Sequence, residues 1–329
     1  VYETKTILVS TGSVPFIPPI PGAGNNPCVL DSTEILKAAA VPKRLAVIGG
    51  GVIGVELAGL FSSLGAQVGV IEMMKEIIPF MDRELAPLYR RAMKKADFYL
   101  GRRVERIEGG AVHYTGSDGK AEVFEADTIL LAAGRRPVLE GWGAEAAGLD
   151  VTAKGAAVDE FMRTNIPGIW AAGDVTGRSL LAHSAYRMAD VASADILGYL
   201  DGNGPGQKRM RYQAVPWAVY GITEAAGVGL TEQEAEAKGI GIRKATVSMK
   251  ASGRFVAENT FAGPGAVKLI AGKDGGRILG LHAVGAYSSE FIWGGAALIE
   301  QELRVEDLQE LIFPHPTVCE MILECAYAL

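Results

Sequence analysis

Apolar residues recur along this chain in two distinct rhythms. The first is a short, unbroken apolar run that ends on small residues and glycine, as in LAVIGGG at 45–51, TILLAAG at 128–134 and GIWAAGD at 168–174. Such a run reads as a parallel strand buried on both faces. ILVSTG at 7–12 has the same form, and residues 5–9 predict a core-type strand. Between the runs, Ile53 to Leu64 is rich in Ala and Leu and predicts a helix, and Gln67 to Ile71 predicts the next strand. A charged helix is expected near 83–96, followed by a hairpin of VHY and EVF around SDGK. The second rhythm begins beyond residue 240. ATVSMKA, AVKLIA and ILGLHAVG alternate like half-buried strands, and helices are expected at 288–302 and 305–312. SSEFIWGGAALIE is apolar on most faces, which predicts a buried helix or an interface, and ECAYAL stops inside an apolar helical pattern.

The order of these elements predicts an α/β fold with a Rossmann-like domain and a separate C-terminal α+β domain. PFIPPIPG reads as an extended Pro-rich connector and DGNGPGQ, at 201–207, as a linker. The chain opens on Val1, and the strand at 5–9 would need neighbours from upstream. The expectation is a piece of a longer protein, with more missing at the front than at the back.

Composition narrows the picture. The chain has 329 residues, enough for two or three domains, with 49% hydrophobic and 21% charged positions. A net charge of −6 argues against a dedicated nucleic-acid surface and does not suggest an anionic membrane as partner. No apolar run approaches the ~20 residues that span a bilayer. The first residues read as a strand and turn rather than a signal peptide. Three cysteines, Cys28, Cys319 and Cys325, form no CxxC or CxxxxC pair, so neither a zinc framework nor a local redox pair is expected. This cysteine usage points to a reducing cytoplasm.

The candidate chemistry lies in the turns. Gly49-x-Gly51-x-x-Gly54 follows the strand at 45–48 and opens the helix, and Glu72 ends the next strand 18 residues past Gly54. Gly49 permits the tight turn, Gly51 admits a pyrophosphate, and Gly54 lets helix and strand pack closely. The diphosphate would sit at the helix N-terminus. A carboxylate at Glu72 accepts ribose hydroxyls and repels a 2′-phosphate, which favours NAD over NADP; Lys75, three residues on, works against that preference. The turn at Gly173 aims Asp174 at a polyol hydroxyl, or Asp174 caps the following turn. FPHPTVCE, at 313–320, boxes His315 between two prolines, with Glu320 five residues later. That is either a general base with an orienting acid or a structural histidine in a rigid loop. His282 in LGLHAVG reads as a strand residue.

Together these motifs resemble the FAD-dependent pyridine nucleotide–disulfide oxidoreductases, and within them the dihydrolipoyl dehydrogenase family most closely. STGS and AAGRRP are similar to the family's two ATG-type turns, GGGVIGVELA to its NAD fingerprint, and IWAAGDV to its second flavin motif. LLAHSA, VPWAVYGITEAAGVGLTE and FPHPTVCE are similar to its LAHxA run, its dimerisation-domain opening and its HPT…E base signature. The resemblance implies four segments: 1–30 as a remnant of the FAD domain, 31–130 as the NAD-binding domain, 131–205 as the second, partial FAD-binding segment of three-layer type, and 206–329 as the dimerisation domain. It implies that Gly49, Gly51, Gly54 and Glu72 hold NAD, with Val104 and Gly134 lining the same cleft and Glu56 beside the nicotinamide. Thr11, Gly12, Asp174 and the backbone N–H of Ala182 would meet FAD, and His183 would pack near it. His315 would be the base and Glu320 its partner, acting on the flavin site of the other subunit of a homodimer.

The implied reaction oxidises protein-bound dihydrolipoamide through a cysteine disulfide and FAD, with hydride passing to NAD⁺. The lipoyl partner would belong to a 2-oxo acid dehydrogenase complex or a glycine cleavage protein. The family's first GxGxxG, its CxxxxC pair and the lysine that partners Glu56 are not in this sequence. The chain by itself is therefore expected to hold FAD weakly and to be inactive. The alternatives are another member of the superfamily, such as a mercuric-reductase-like enzyme or a soluble transhydrogenase, and a non-catalytic NAD-binding dimerisation fragment.

Overall fold

The computed structural model describes residues 3–116, 118–204 and 206–329. Ser117 of the expected hairpin, Pro205 of the expected linker, and the opening Val1 and Tyr2 lie outside the described residues. The chain divides into two compact units, one of residues 1–16 and 134–212, the other of residues 17–133 and 213–329.

The larger unit holds two five-stranded sheets. One is parallel, in the spatial order Val29–Asp31, Thr128–Leu131, Arg44–Ile48, Gln67–Glu72, Ala96–Leu100. Its central strand sends Leu45 and Val47 into a core with Leu57, Phe61 and Val70, and Ala46 and Ile48 into another with Ile107, Tyr114 and Phe124. The continuous apolar run thus has the two-sided burial its pattern predicted. The helix Val52–Ser63 covers the first face, and a three-stranded antiparallel sheet (Arg102–Glu108, Ala111–Gly116, Ala121–Glu125) covers the second. Gly69 is needed there, because a Cβ would lie 2.5 Å from the Phe124 ring.

The second sheet is antiparallel, in the order Trp217–Val219, Ala225–Gly229, Ile278–Val284, Ala266–Gly272, Ile242–Ser248. The helices Ser288–Glu300 and Glu320–Tyr327 contribute to its core. The two sheets share a further core in which Val55, Ile77 and Tyr89 meet Val219, Ala225 and Val284. His282 is indeed a strand residue, fully buried.

The smaller unit pairs Ile7–Val9 with Ile169–Ala171 in parallel and Ser13–Pro15 with Arg135–Pro137 in antiparallel. The helix Ala182–Leu200 is its longest element.

Two expectations need correction. The stretch 83–96 holds a helix only at Ala86–Ala92, with Pro87 in its first turn, and its tail enters the edge strand Ala96–Leu100. The backbone carbonyl of Asp82 accepts from Leu85 and Ala86, and its side chain from Glu84 N–H, so residues 82–85 form a turn. The downstream helices are also shorter than expected, Ser288–Glu300 and Val305–Gln309.

Candidate functional site

The glycine turn joins Arg44–Ile48 to the helix Val52–Ser63. Gly49 has φ +112°, and a Cβ there would stand 2.5 Å from the Ala132 carbonyl oxygen. A Cβ on Gly54 would stand 2.0 Å from the Gly49 oxygen, so these two glycines are required by packing. Gly51 differs: its φ is −72°, and a Cβ there would meet nothing within 4 Å. The space before Gly51 is therefore open. Gly51 caps the helix without a side-chain bond, and the first helical N–H to find its partner is that of Val55. The N–H groups ahead of it point outward without an intrahelical acceptor. Open room and uncommitted donors at a helix N-terminus fit a diphosphate.

Glu72 closes this cradle. Its Oε2 accepts from Gly50 N–H at 2.5 Å and its Oε1 from Met74 N–H at 2.7 Å. The carboxylate is 7% exposed and pins the glycine turn to the strand that carries it. Each oxygen keeps acceptor capacity for a further hydroxyl. On the next helical turn, Glu56 accepts from Tyr220 N–H at 2.8 Å; burial pushes its carboxyl up, against the pull of that bond. Val104 lies on Arg102–Glu108 opposite Tyr114 and packs, partly buried, against the core of Ile48 and Ile71.

The smaller unit gathers Thr11, Gly12, Gly134 and Asp174. Gly12 and Gly134 both have positive φ, +73° and +112°. Thr11 donates to Val138 O at 2.9 Å, and Val138 N–H donates to Gly12 O. Asp174 sits in the short turn Gly173–Thr176, and its Oδ2 accepts from Ser13 Oγ at 2.5 Å. Arg135 holds Ser13 twice, through Nε to Oγ and Nη2 to the backbone oxygen, both at 2.8 Å. One oxygen of Asp174 is thus oriented while the other is left as an acceptor. Ala182 begins its helix behind Leu181, which gives no side-chain cap. An aimed carboxylate and an uncapped helix start fit a polyol chain and an electron-rich ring. Ser13 and Arg135 were missed in the sequence, although each directly follows one of the glycine turns.

The Pro-boxed loop brings His315 and Glu320 together. His315 Nδ1 stands 2.8 Å from Glu320 Oε1, and Thr317 N–H donates to Glu320 Oε2 at 2.7 Å. Thr317 Oγ1 donates back to Pro314 O, closing the loop on itself. Glu320 opens the helix Glu320–Tyr327, where a carboxylate is favoured by the helix dipole. The Thr317 N–H, and then His315, hold its carboxyl below the usual range. The His315 side chain is 79% exposed. With Nδ1–H donating to Glu320, Nε2 presents a lone pair to solvent, the geometry of a base. Cys28, Cys319 and Cys325 are unpaired, and burial pushes the Cys325 thiol up to about 12.

A buried ionic node was not foreseen. Lys268, fully buried, stands 2.8 Å from Asp82, 2.8 Å from Glu84 and 2.7 Å from Glu232. The three carboxylates surround an ammonium.

Comparison with known proteins places the chain in a family. The family model described as pyridine nucleotide-disulphide oxidoreductase matches residues 1–189, and the model of that family's dimerisation domain matches 215–326. A dihydrolipoyl dehydrogenase of Thermus scotoductus is 36% identical over 338 residues, covering 100% of this chain and 70% of the relative. One of Rhizobium etli is 36% identical over 330 residues, covering 98% and 67%. Among solved structures, the HOCl-induced flavoprotein disulfide reductase RclA of Escherichia coli superposes with a TM-score of 0.85 at 29% identity, covering 98% of this chain and 73% of that one. The chain belongs to the pyridine nucleotide-disulphide oxidoreductase family.

Proposed function

We propose that these residues supply the NAD cradle, part of the FAD site and the proton-transferring base of a dihydrolipoyl dehydrogenase. The His315–Glu320 pair carries the reading, since a dithiol must lose a proton before it can attack a disulfide. His315 takes that proton at Nε2, while Glu320 fixes the tautomer and stabilises the imidazolium. Gly49, Gly51 and Gly54 would shape the diphosphate cradle, Glu72 would accept from the adenosine ribose, and Val104 and Glu56 would line the nicotinamide side; Gly134, in the smaller unit, is proposed as a further NAD contact. Asp174, Thr11, Gly12 and Ala182 would hold FAD. Bound FAD would supply the two-electron chemistry that links the dithiol to NAD⁺.

No CxxxxC pair occurs among the 329 residues, so the redox-active disulfide is not theirs to supply. The dimerisation domain supports a homodimer in which His315 serves the partner's flavin. The lipoyl-bearing protein of a 2-oxo acid dehydrogenase or glycine cleavage system is the proposed substrate, and the cytoplasm the proposed location. The likeness to RclA favours a second reading, a flavoprotein disulfide reductase acting on another disulfide.

A chimera decides between them. The matching 70% of the Thermus scotoductus enzyme is replaced by this chain and assayed for NAD⁺ reduction. Turnover with dihydrolipoamide well above that with other dithiols supports the first reading. A folded, flavin-loaded chimera without that preference rejects it.

A further inference from the structure

A small, partly open recess lies apart from the glycine cradle and the His315 loop. It is a cavity of about 210 Å³ between the helix Val52–Ser63, the end of Ala86–Ala92 and the turn at 221–223. Val55, Met93 and Ile222 give it apolar walls, and Lys94 and Lys95 stand at its rim.

Its floor holds an unusual group. The Tyr89 ring is packed in, 1% of the residue being exposed, and its hydroxyl borders the cavity with no protein group among the described residues bonded to it. The hydroxyl end faces the cavity, 3.7 Å from where a Cβ on the lining residue Gly221 would stand. Burial, and then the Glu56 charge, keep it protonated, so it offers a donor. A ligand oxygen that enters the cavity can accept from it. Lys94 and Lys95 are exposed and form no ion pair among the described residues. Ser62 spends its proton on Gly59 O and presents only an acceptor. Glu56 sets the polarity, because its carboxylate near Tyr89 disfavours an anion at the floor and leaves the lysine rim as the anionic end.

We propose that this recess binds a small organic anion, with its carboxylate at Lys94 and Lys95, a short apolar middle, and an uncharged carbonyl oxygen accepting from Tyr89. The volume equals that of about seven liquid waters, which suits an acid of five or so carbons and excludes a nucleotide. Neither the glycine cradle nor the His315 loop contributes to it.

The probe is 4-oxopentanoate, with pentanoate as the control that lacks the inner carbonyl. Both are titrated into the 329-residue chain by calorimetry and by ligand-observed NMR. The expected dissociation constant for 4-oxopentanoate is on the order of 1 mM, the scale a ligand of this size allows. Tyr89→Phe should weaken 4-oxopentanoate about fivefold and leave pentanoate unchanged, since one hydrogen bond is removed and the ring stays. Lys94→Gln with Lys95→Gln should weaken both acids. Gly59→Leu provides an independent block: a Cβ there meets only Met93 Cε at 3.8 Å, so the side chain grows into the cavity and should abolish binding while the fold persists. No saturable binding, or binding untouched by both Tyr89→Phe and Gly59→Leu, would overturn the proposal and leave the recess to solvent.

Discussion

At the residue scale, hydrogen bonds decide what each side chain can do. Glu320 is the clearest case. Its carboxyl is held below the usual range by the Thr317 N–H and His315. A carboxylate with a depressed folded pKa adds stability above its unfolded value and loses it as pH falls through the folded one. Glu320→Gln should therefore lower the melting temperature at pH 7, and by progressively less as pH falls below about 4.5. A loss that does not change with pH would contradict the pairing. Glu72, clamped by two backbone N–H groups, should favour NADH over NADPH. Equal affinities in a fluorescence titration would count against it. The His box and the glycine spacing were legible because each is complete within eight residues or one strand–turn–helix. The Ser13–Asp174 bond was not, since it joins residues 161 apart and depends on two turns being brought together.

At the element scale, the glycine turn separates packing from binding. Gly54→Ala places a methyl 2.0 Å from the Gly49 oxygen and should destabilise the chain by about 1–3 kcal/mol, as overpacking does. Gly51→Ala enters open space at an ordinary φ, so stability should hold while NADH affinity drops at least about tenfold, a ligand contact of about 1.4 kcal/mol. Urea melts and NADH titrations of both variants check this, and a destabilised Gly51→Ala would refute it. The helix expected over 83–96 failed for a related reason. Its charged residues follow helical composition, but tertiary partners claim Asp82, Arg83 and Glu84, and the tail joins the sheet edge. Composition carries no record of a partner 186 residues away, as Lys268 is from Asp82.

At the scale of the whole molecule, two features stand out in the larger unit. The Lys268 node ties the turn at Asp82 to the antiparallel sheet. Burial opposes ionisation of Glu232, but hydrogen bonds from Lys244, Lys268 and Arg83 prevail and bring it down to about 2. Lys268→Met strips the partner from buried carboxylates and should cost about 3–5 kcal/mol at neutral pH. That cost should shrink as pH falls from about 4.5 toward 2, where Glu232 protonates; a pH-independent cost would contradict the account. The second feature is a groove of about 710 Å³ lined by Trp293, Leu311, Ile312 and Phe313, with Ile312 98% exposed. It reaches Pro314 and Thr317, beside the base. Ile312→Asp should shift a homodimer toward monomer in sedimentation. No helix among the described residues is long and apolar enough to cross a membrane.

The most direct measurement is steady-state NAD⁺ reduction by dihydrolipoamide in the chimera, with and without His315→Gln. The account predicts a fall in kcat/KM of about 10²–10⁴, the worth of a positioned base, with the flavin spectrum and NADH affinity unchanged. A His315→Gln chimera that keeps its activity would contradict it.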